Sequence, residues 1–198
     1  MIITKRVNII SLVIGTRGTG KTTYLKGSDE LKIEGITDVF LNRDAKQKIL
    51  IVDLFDNPIW QDVPTISLEQ LKRWKSGMYR IFLSDPSRLM SLIGQNCYNT
   101  IIIFEDATKY IKNTLDENLR RLLIDSKQKN LDVFFAFHYL QAVPPDLVRI
   151  SDYLVLFKTN ESFTSQLRNK YPHPDILKGF AEVSKNKNFH FYKEIALI

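Results

Sequence analysis

The segment GTRGTGKTT, residues 15–23, constrains the fold more than any other stretch of this 198-residue chain. It matches the pattern G-x-x-x-x-G-K-[ST], in which glycines let successive backbone N–H groups turn toward phosphate oxygens. The mostly apolar run VNIISLVI precedes it, and KTTYLK, which can begin a helix, follows it. Strand, loop and helix therefore occur in the order that a nucleoside-triphosphate site requires.

The pattern predicts a role for each residue of this loop. Lys21 is expected to reach the β- and γ-phosphates, and the Thr22 hydroxyl to ligate Mg²⁺. Arg17 occupies a position where the pattern leaves the residue type free, so it either touches phosphate or points to solvent, and we favour solvent. The predicted nucleotide-binding residues are Gly15, Thr16, Arg17, Gly18, Thr19, Gly20, Lys21, Thr22 and Thr23.

Short apolar runs alternate with helix-like segments along the rest of the chain, and no Pro/Gly/Ser-rich linker or internal repeat divides it. The alternation predicts an α/β fold, a single domain over residues 1–198 with a mostly parallel sheet and helices on both faces. Ligands of such sheets bind at the carboxyl ends of the strands. Further strands are predicted at 48–53, 79–84, 100–106, 131–138, 152–158 and 189–195, and helices at 67–77, 107–130 and 160–171.

Polar residues end several of these predicted strands. TIIIF runs into Glu105 and Asp106, and LDVFFAF runs into His138. Of two adjacent carboxylates, one can hold Mg²⁺ while the other orients or deprotonates an attacking water, as an ATPase needs and a kinase avoids. We assign Glu105 to the metal and Asp106 to the water. His138 is either a γ-phosphate sensor or an ordinary histidine. Asp53 either caps a helix or contacts ribose or a neighbouring subunit, and we favour the cap.

Composition narrows the partners and the compartment. A formal net charge of +6 and a pI near 9.3 fit a polyanionic partner such as nucleic acid, and equally an ordinary basic protein. The single cysteine, Cys97, excludes an intrachain disulfide and fits a reducing compartment. No apolar run approaches the ~20 residues that span a bilayer. We therefore expect a soluble cytosolic protein without a membrane span.

The order of these features resembles the FtsK/HerA superfamily of P-loop ATPases. Within it, the chain is similar to the small genome-packaging ATPases of membrane-containing viruses with double-jelly-roll capsids. The likeness covers roughly residues 7 to 160 and includes YLQAVPPDLVRISDYLVLFKT, where Pro144 and Pro145 keep the proline loop of the family. Two departures are evident: the family has Asp before Glu where this chain has Glu105 before Asp106, and its sensor glutamine is His138 here.

The resemblance implies a RecA/FtsK–HerA-like fold, with ATP and Mg²⁺ as cofactors. It implies a motor that moves DNA into a viral capsid as a homo-oligomeric ring, a pentamer or a hexamer. Capsid or portal-vertex proteins would be further partners, in the host cytoplasm or in the virion. In the family, an arginine between the acidic pair and the sensor strand completes a neighbouring subunit's site. We assign that role to Arg121, with Lys127 as the fallback and Arg120 as its neighbour.

Other functions remain open at this point. A filamentous-phage assembly ATPase normally carries a transmembrane segment, and a small nucleotide or nucleoside kinase usually has an arginine-bearing lid; neither feature is evident here. A GTPase is disfavoured because Asn169-Lys170 continues as Tyr171-Pro172 and does not complete N-K-x-D. A protein that binds nucleotide only to hold an assembly together is a further alternative.

Overall fold

The computed structural model describes residues 8–43, 47–53, 55–82 and 85–197. Its strands are β1 (Ile10–Ile14), β2 (Gly27–Ser28), β3 (Ile33–Glu34), β4 (Lys48–Val52), β5 (Gly77–Ile81), β6 (Thr100–Phe104), β7 (Leu131–Phe137), β8 (Tyr153–Phe157) and β9 (Tyr192–Ala196). A seven-stranded sheet has the order β5-β4-β6-β7-β1-β8-β9, while β2 and β3 form a separate hairpin. All neighbouring strands of the large sheet are parallel except β9, which is antiparallel to β8. The predicted α/β fold with a mostly parallel sheet is therefore confirmed.

The strands of the sheet centre are apolar along nearly their whole length because both of their faces are covered. Every residue of β1, β6 and β7 is buried. Alternate side chains enter two separate hydrophobic clusters: Leu12 lies in one and Val13 in the other. This continuous burial is typical of parallel strands that have helices on both sides.

The helices are α1 (Lys21–Lys26), α2 (Ile36–Arg43), α3 (Leu68–Leu71), α4 (Pro86–Asn96), α5 (Glu117–Ile124), α6 (Pro145–Ile150), α7 (Ser165–Lys170) and α8 (Pro174–Lys185). Short 3-10 turns form at Pro58–Trp60, Ala107–Lys109 and Leu140–Ala142. Asp85 caps α4 by accepting a hydrogen bond from the Arg88 N–H, and Pro86 occupies its first turn. None of the helices in the described ranges is long and apolar enough to cross a membrane.

The predicted helix at 107–130 is wrong. Of this segment only Glu117–Ile124 forms an α-helix. The Asp116 carboxylate accepts hydrogen bonds from the N–H groups of Asn118 and Leu119, so the helix begins after it. Asp106 has a φ of 52°, a left-handed conformation, and only the short 3-10 turn Ala107–Lys109 follows it. Asn130 has the same φ and turns the chain into β7.

Other predicted elements differ in their lengths. The helix predicted at 67–77 is limited to α3, and the one predicted at 160–171 begins only after Thr164, whose hydroxyl caps α7. The strand predicted at 189–195 begins at Tyr192. Helices α2, α4, α6 and α8 were not predicted. Val7, Leu83 and Ser84, which predicted strands included, lie outside the described residues.

Candidate nucleotide-binding site

The phosphate-type loop leaves β1 between the two strands that flank it. Gly15 N–H donates to the Phe137 carbonyl at 3.1 Å, and Thr16 N–H donates to the Lys158 carbonyl at 2.9 Å. A Cβ at Gly15 would lie 2.5 Å from the Cβ of Phe157, so no larger residue fits without a backbone shift. The start of the loop is thus fastened to the ends of β7 and β8.

Two further glycines shape the tip of the loop. Gly18 has a φ of 81° and Gly20 a φ of 102°, both in the left-handed region. A residue with a side chain is strained at such angles, and Gly20 is the residue that leads directly into α1. The Thr19 hydroxyl donates to the Thr16 carbonyl at 2.8 Å within the loop. The loop is therefore curved before any ligand binds.

Lys21 is folded back over this loop. Its Nζ donates hydrogen bonds to the carbonyl oxygens of Gly15 at 2.6 Å and Thr16 at 3.1 Å. Burial lowers the pKa of Lys21 to about 8, and the nearby carboxylates of Glu105 and Asp106 limit the shift. The Lys21 ammonium group is partly desolvated and donates to neutral carbonyl groups. Phosphate oxygens are negatively charged and therefore make stronger hydrogen bonds with it, so they can replace these carbonyl groups.

Glu105 ends β6 and is held by a residue that no sequence motif indicated. Its N–H donates to the Val52 carbonyl at 3.0 Å, and its carboxylate accepts a hydrogen bond from the indole Nε1 of Trp60 at 3.1 Å. Burial raises the pKa of Glu105, while the Trp60 hydrogen bond and the charge of Lys21 oppose that change. The carboxylate is therefore oriented and almost fully removed from solvent.

Asp106 is bound by two cationic or potentially cationic partners. Its Oδ1 lies 2.7 Å from His138 Nε2, and its Oδ2 lies 2.5 Å from Lys109 Nζ. Burial raises the pKa of Asp106, but the hydrogen bonds from His138 and Lys109 outweigh it and lower the pKa to about 2. The backbone N–H of His138 donates to the Thr108 hydroxyl at 2.9 Å. The carboxylate is thus ionised and fixed between the ends of β6 and β7.

These groups face one cavity of about 570 Å³. The predicted site residues that line it are Arg17, Gly18, Gly20, Lys21, Thr22, Thr23, Glu105, Asp106 and His138. Gly15, Thr16 and Thr19 form the loop beneath it without lining it. Arg17 is exposed at this cavity. Strands that are distant in sequence therefore bring the loop, the acids and the histidine to the same sheet edge.

The cavity also contains residues that were not among the predicted site residues. Asp53 lines it, and its carboxylate accepts the N–H groups of Phe55 at 3.3 Å and Asn57 at 2.8 Å, so it caps a turn and not a helix. Lys109 and His190 line it as well, and Trp60 lies behind Glu105. None of these belongs to a motif; only the position of Lys109 just after the acids could have indicated it.

The predicted arginine lies elsewhere. Arg121 is on α5 with 72% of its side chain exposed, and its nearest carboxylate is Glu117 at 3.8 Å. Arg120 pairs with Asp146 at 2.7 Å, and Lys127 is exposed after the end of α5. The structure brings none of these three to the cavity of its own chain.

The donors in the cavity fit a hydrated magnesium ion. Mg²⁺ prefers oxygen ligands and is usually held by one or two carboxylates together with substrate phosphates and water. Thr22 and Glu105 present a hydroxyl and a carboxylate oxygen to the same cavity as Lys21. Within the described ranges no cluster of three or more His, Cys, Asp or Glu forms a metal cage, which such a phosphate-dependent site does not need.

The fold and the loop define a P-loop nucleoside-triphosphatase architecture, and solved structures share it. The genome packaging NTPase B204 from Sulfolobus turreted icosahedral virus 2, in complex with ATP-gammaS, superposes with a TM-score of 0.74 at 16% identity, covering 96% of this chain and 92% of that one. The DNA-packaging ATPase B204 from Sulfolobus Turreted Icosahedral Virus gives a TM-score of 0.68 at 13% identity, covering 96% and 98%.

A more distant match is EssC (ATPases 2 and 3) from Geobacillus thermodenitrificans, with a TM-score of 0.51 at 10% identity over 85% of this chain and 35% of that one. No protein-family model and no curated protein matches the sequence. The predicted resemblance to genome-packaging ATPases is thereby confirmed at the level of the fold.

Proposed function

We propose that this protein is an ATPase that translocates DNA, and that it packages a viral genome into a capsid. The observation that carries the proposal is the cavity in which Lys21 and Thr22 face Glu105, Asp106 and His138. A phosphate loop opposite a pair of acids provides both a place for the triphosphate and a group for the attacking water. The fold likeness to a genome packaging NTPase and a DNA-packaging ATPase supports the choice of motor.

The loop and the first acid bind the nucleotide. The backbone N–H groups that follow Thr16 in the loop surround the phosphates, and Lys21 exchanges its loop carbonyls for phosphate oxygens. Thr22 and Glu105 hold Mg²⁺, which neutralises charge on the phosphates when bound. The hydrogen bond from Trp60 keeps the Glu105 carboxylate in the orientation that a metal ligand needs.

Asp106 acts on the water. A carboxylate whose pKa is about 2 stays ionised at neutral pH but is a weak proton acceptor. Its main contribution is therefore to orient the water by accepting a hydrogen bond from it. Both of its oxygens already have partners, because Oδ1 contacts His138 and Oδ2 contacts Lys109. The water must therefore bind to an oxygen that keeps its present partner, or replace that partner.

His138 then reports the state of the γ-phosphate. It joins Asp106 at the end of β7, the strand between the one that carries the loop and the one that carries the acids. A change at Asp106 during hydrolysis thus reaches the Leu140–Ala142 turn and α6 through the residues that follow β7. This connection is a route from hydrolysis to movement of the proline-containing segment.

The motor works as a homo-oligomeric ring around DNA, with Arg121 completing the site of a neighbouring subunit. Its formal net charge of +6 favours contact with the phosphate backbone. Capsid or portal-vertex proteins are its docking partners, and it acts in the host cytoplasm, where a capsid is filled. We assign residues 1–198 to a single P-loop ATPase domain.

ATP hydrolysis measured with and without double-stranded DNA tests the proposal. We expect phosphate release that DNA stimulates severalfold and that Lys21→Ala abolishes, because this variant lacks the cation on the phosphates. The Lys21→Ala protein also controls for contaminating ATPases. Hydrolysis indifferent to DNA would contradict the motor, and phosphate transfer to a small acceptor would favour a kinase.

A further inference from the structure

Lys26 connects the helix that follows the phosphate loop to the turn that carries Trp60. It is the last residue of α1, which begins at Lys21. Its Nζ donates hydrogen bonds to the Ile59 carbonyl at 2.5 Å and to Asp62 Oδ1 at 2.6 Å. The two acceptors lie on either side of Trp60 in sequence, so one ammonium group holds the chain both before and after this residue.

The same ammonium group lies over the Trp60 ring. Its nitrogen is 5.5 Å from the ring centroid, a distance at which a cation is attracted to the face of an indole. The side chain of Lys26 is 22% exposed, so solvent reaches only a small part of it. Lys26 thus contacts the ring itself as well as the chain around it.

The backbone of Lys26 is held by the segment that follows it. Thr37 is fully buried, and its hydroxyl donates to the Lys26 carbonyl at 3.0 Å. Gly27, the next residue, has a φ of 92°. A Cβ at Gly35 would lie 2.3 Å from the carbonyl carbon of Lys26, so the two segments approach each other closely. The side chain of Lys26 therefore reaches the turn from a closely packed base.

Burial alone does not explain the direction of the Trp60 indole. The ring is fully buried in a hydrophobic cluster, but burial of apolar surface does not determine where the indole N–H points. The hydrogen bond to Glu105 requires a defined direction, because hydrogen bonds weaken steeply when they are bent. Within the turn, Trp60 N–H donates to the Asn57 carbonyl at 3.0 Å, which shapes the turn without joining it to α1. The contacts of Lys26 provide that connection.

We propose that Lys26 is a positioning residue for the magnesium site and that it holds Trp60 so that the indole N–H stays directed at Glu105. The route runs from the ammonium group to the indole ring and from there to the carboxylate. Lys26 is not among the described residues that line the phosphate cavity, so its effect passes through Trp60. The proposal rests on the proposed function in that Glu105 holds Mg²⁺.

The first test observes the indole hydrogen bond directly. The chain has two tryptophans, so its ¹H–¹⁵N spectrum contains two indole N–H signals, and Trp74→Phe shows which of them belongs to Trp60. In Lys26→Met we expect this proton to exchange with solvent at least about tenfold faster, because it loses a hydrogen bond to a charged group. The signal should also move upfield.

Two further variants separate positioning from general stability. Lys26→Arg should restore the original signal, because guanidinium also donates to carbonyl and carboxylate oxygens and stacks on aromatic rings. Lys178→Met is the matched control, since it removes an exposed lysine that pairs with Asp175 at 2.9 Å on α8, and it should leave the signal unchanged. Thermal melting shows whether each variant is folded. If Lys26→Met does not fold, Asp62→Ala, at a position 66% exposed, should move the Trp60 signal in the same direction.

The second test is a double-mutant cycle on the magnesium requirement of ADP binding. Calorimetry over a series of Mg²⁺ concentrations compares the original protein, Lys26→Met, Trp60→Phe and the double variant. Trp60→Phe should need about tenfold more Mg²⁺ and Lys26→Met at least about threefold more, as expected for outer partners of a metal ligand. Lys26→Met should have no further effect in the Trp60→Phe background, because both changes break the same route.

Several results would overturn the proposal: an unmoved Trp60 signal in folded Lys26→Met or Asp62→Ala, no recovery in Lys26→Arg, or an equal effect of Lys26→Met with and without Trp60. None of these measurements involves hydrolysis or DNA. A Trp60 signal that moves while neither Lys26→Met nor Glu105→Gln alters the magnesium requirement would instead contradict the proposed function, because Glu105 would then not hold the metal.

Discussion

Trp60 donates an indole hydrogen bond to Glu105 across 45 positions of sequence, with 3.1 Å between Nε1 and Oε2. Trp60 is fully buried and Glu105 nearly so, so the contact is made in a region of low dielectric. A hydrogen bond to the ionised form favours that form and offsets part of the burial that raises the pKa of Glu105. Trp60 therefore supports the carboxylate in the state in which it binds a metal.

Trp60→Phe should weaken Mg²⁺ dependence more than nucleotide binding itself. Phenylalanine keeps most of the apolar contact but removes the donor, so the Glu105 pKa rises and the side chain gains freedom. Loss of an outer partner of a metal ligand typically costs about 10- to 100-fold in metal affinity. We expect the Mg²⁺ concentration for half-maximal ATP hydrolysis to rise by at least about tenfold, measured in a magnesium titration at saturating ATP.

Trp74→Phe is the matched control, because Trp74 donates its indole N–H to the Ser76 carbonyl in another part of the fold. It should leave the magnesium curve unchanged. A Trp60→Phe curve that coincides with that of the original protein would show that the contact is only a packing feature.

The lowered pKa of Lys21 predicts a pH dependence of nucleotide binding. Its pKa is about 8, and a bound phosphate favours the protonated amine. Below pH 8 the proton is already present, whereas above pH 8 binding must take it up. The affinity for ADP should therefore fall as pH rises above 8, by at most about tenfold per unit for one proton.

Calorimetric titrations between pH 7 and 10 measure this slope. Lys21→Arg is the control because guanidinium stays protonated throughout, so its affinity, though lower, should not vary over the same range. An original protein with no slope would mean that the pKa of Lys21 is not lowered in solution.

The two acids should give different phenotypes. Asp106→Asn loses the charge that orients water but keeps the metal site, so Mg²⁺-ATP should bind while hydrolysis falls by about 10²-fold, the cost of a misplaced reactant. Glu105→Gln should instead raise the magnesium requirement. Nucleotide affinity and single-turnover hydrolysis, each measured over a magnesium series, separate the two effects. Reversed phenotypes would mean that the roles of the acids are exchanged.

His138 should couple hydrolysis to DNA. His138→Ala removes the contact to Asp106 at the end of β7 and should abolish most of the stimulation by DNA while ADP affinity stays within about twofold. His138→Gln keeps a side-chain donor and should restore part of the stimulation. Both are read from ATP turnover with and without DNA. Full stimulation in His138→Ala would return this residue to the role of an ordinary strand-end histidine.

Much of the phosphate cavity could be predicted from sequence because its residues follow buried strands. Lys21, Glu105 and His138 belong to local patterns, and a parallel sheet necessarily brings the carboxyl ends of its strands to one edge. The loop needs its glycines for backbone geometry, which a short motif encodes completely. Local rules thus sufficed wherever a strand end and a motif coincided.

Contacts made by irregular segments could not be predicted in this way. Trp60 reaches Glu105 from a 3-10 turn, and Tyr24 meets Glu194 over 170 positions. The sequence analysis assigned Lys109 to a long helix at 107–130, because the many charged residues of this segment gave no sign that Asp116 begins a new helix. Sequence position does not indicate which of these residues are in contact, because the contacts depend on how the loops and the antiparallel strand β9 pack against the sheet.

The last prediction concerns the cation that completes the site. The transition state of phosphoryl transfer spreads charge over oxygens that the loop, Lys21 and Mg²⁺ do not all reach, and an added arginine is worth about 10³- to 10⁵-fold in rate. Arg120 already pairs with Asp146 at 2.7 Å in its own chain. Arg121 is 72% exposed, and its ion-pair partner among the described residues is Glu117 at 3.8 Å, so it can reach a neighbouring subunit at little cost. Its planar fork also suits phosphate better than the point charge of Lys127.

Mixing two inactive variants, Lys21→Ala and Arg121→Ala, tests this assignment. If Arg121 acts on a neighbour, some interfaces of a mixed ring combine an intact loop with an intact arginine, and hydrolysis returns partly. Arg149→Ala, which alters another exposed arginine, on α6, should hydrolyse ATP normally by itself. Restored activity only with Arg120→Ala in place of Arg121→Ala would move the role to its neighbour. Co-assembly without any restored activity, or a fully active Arg121→Ala protein, would show that Arg121 does not complete the site.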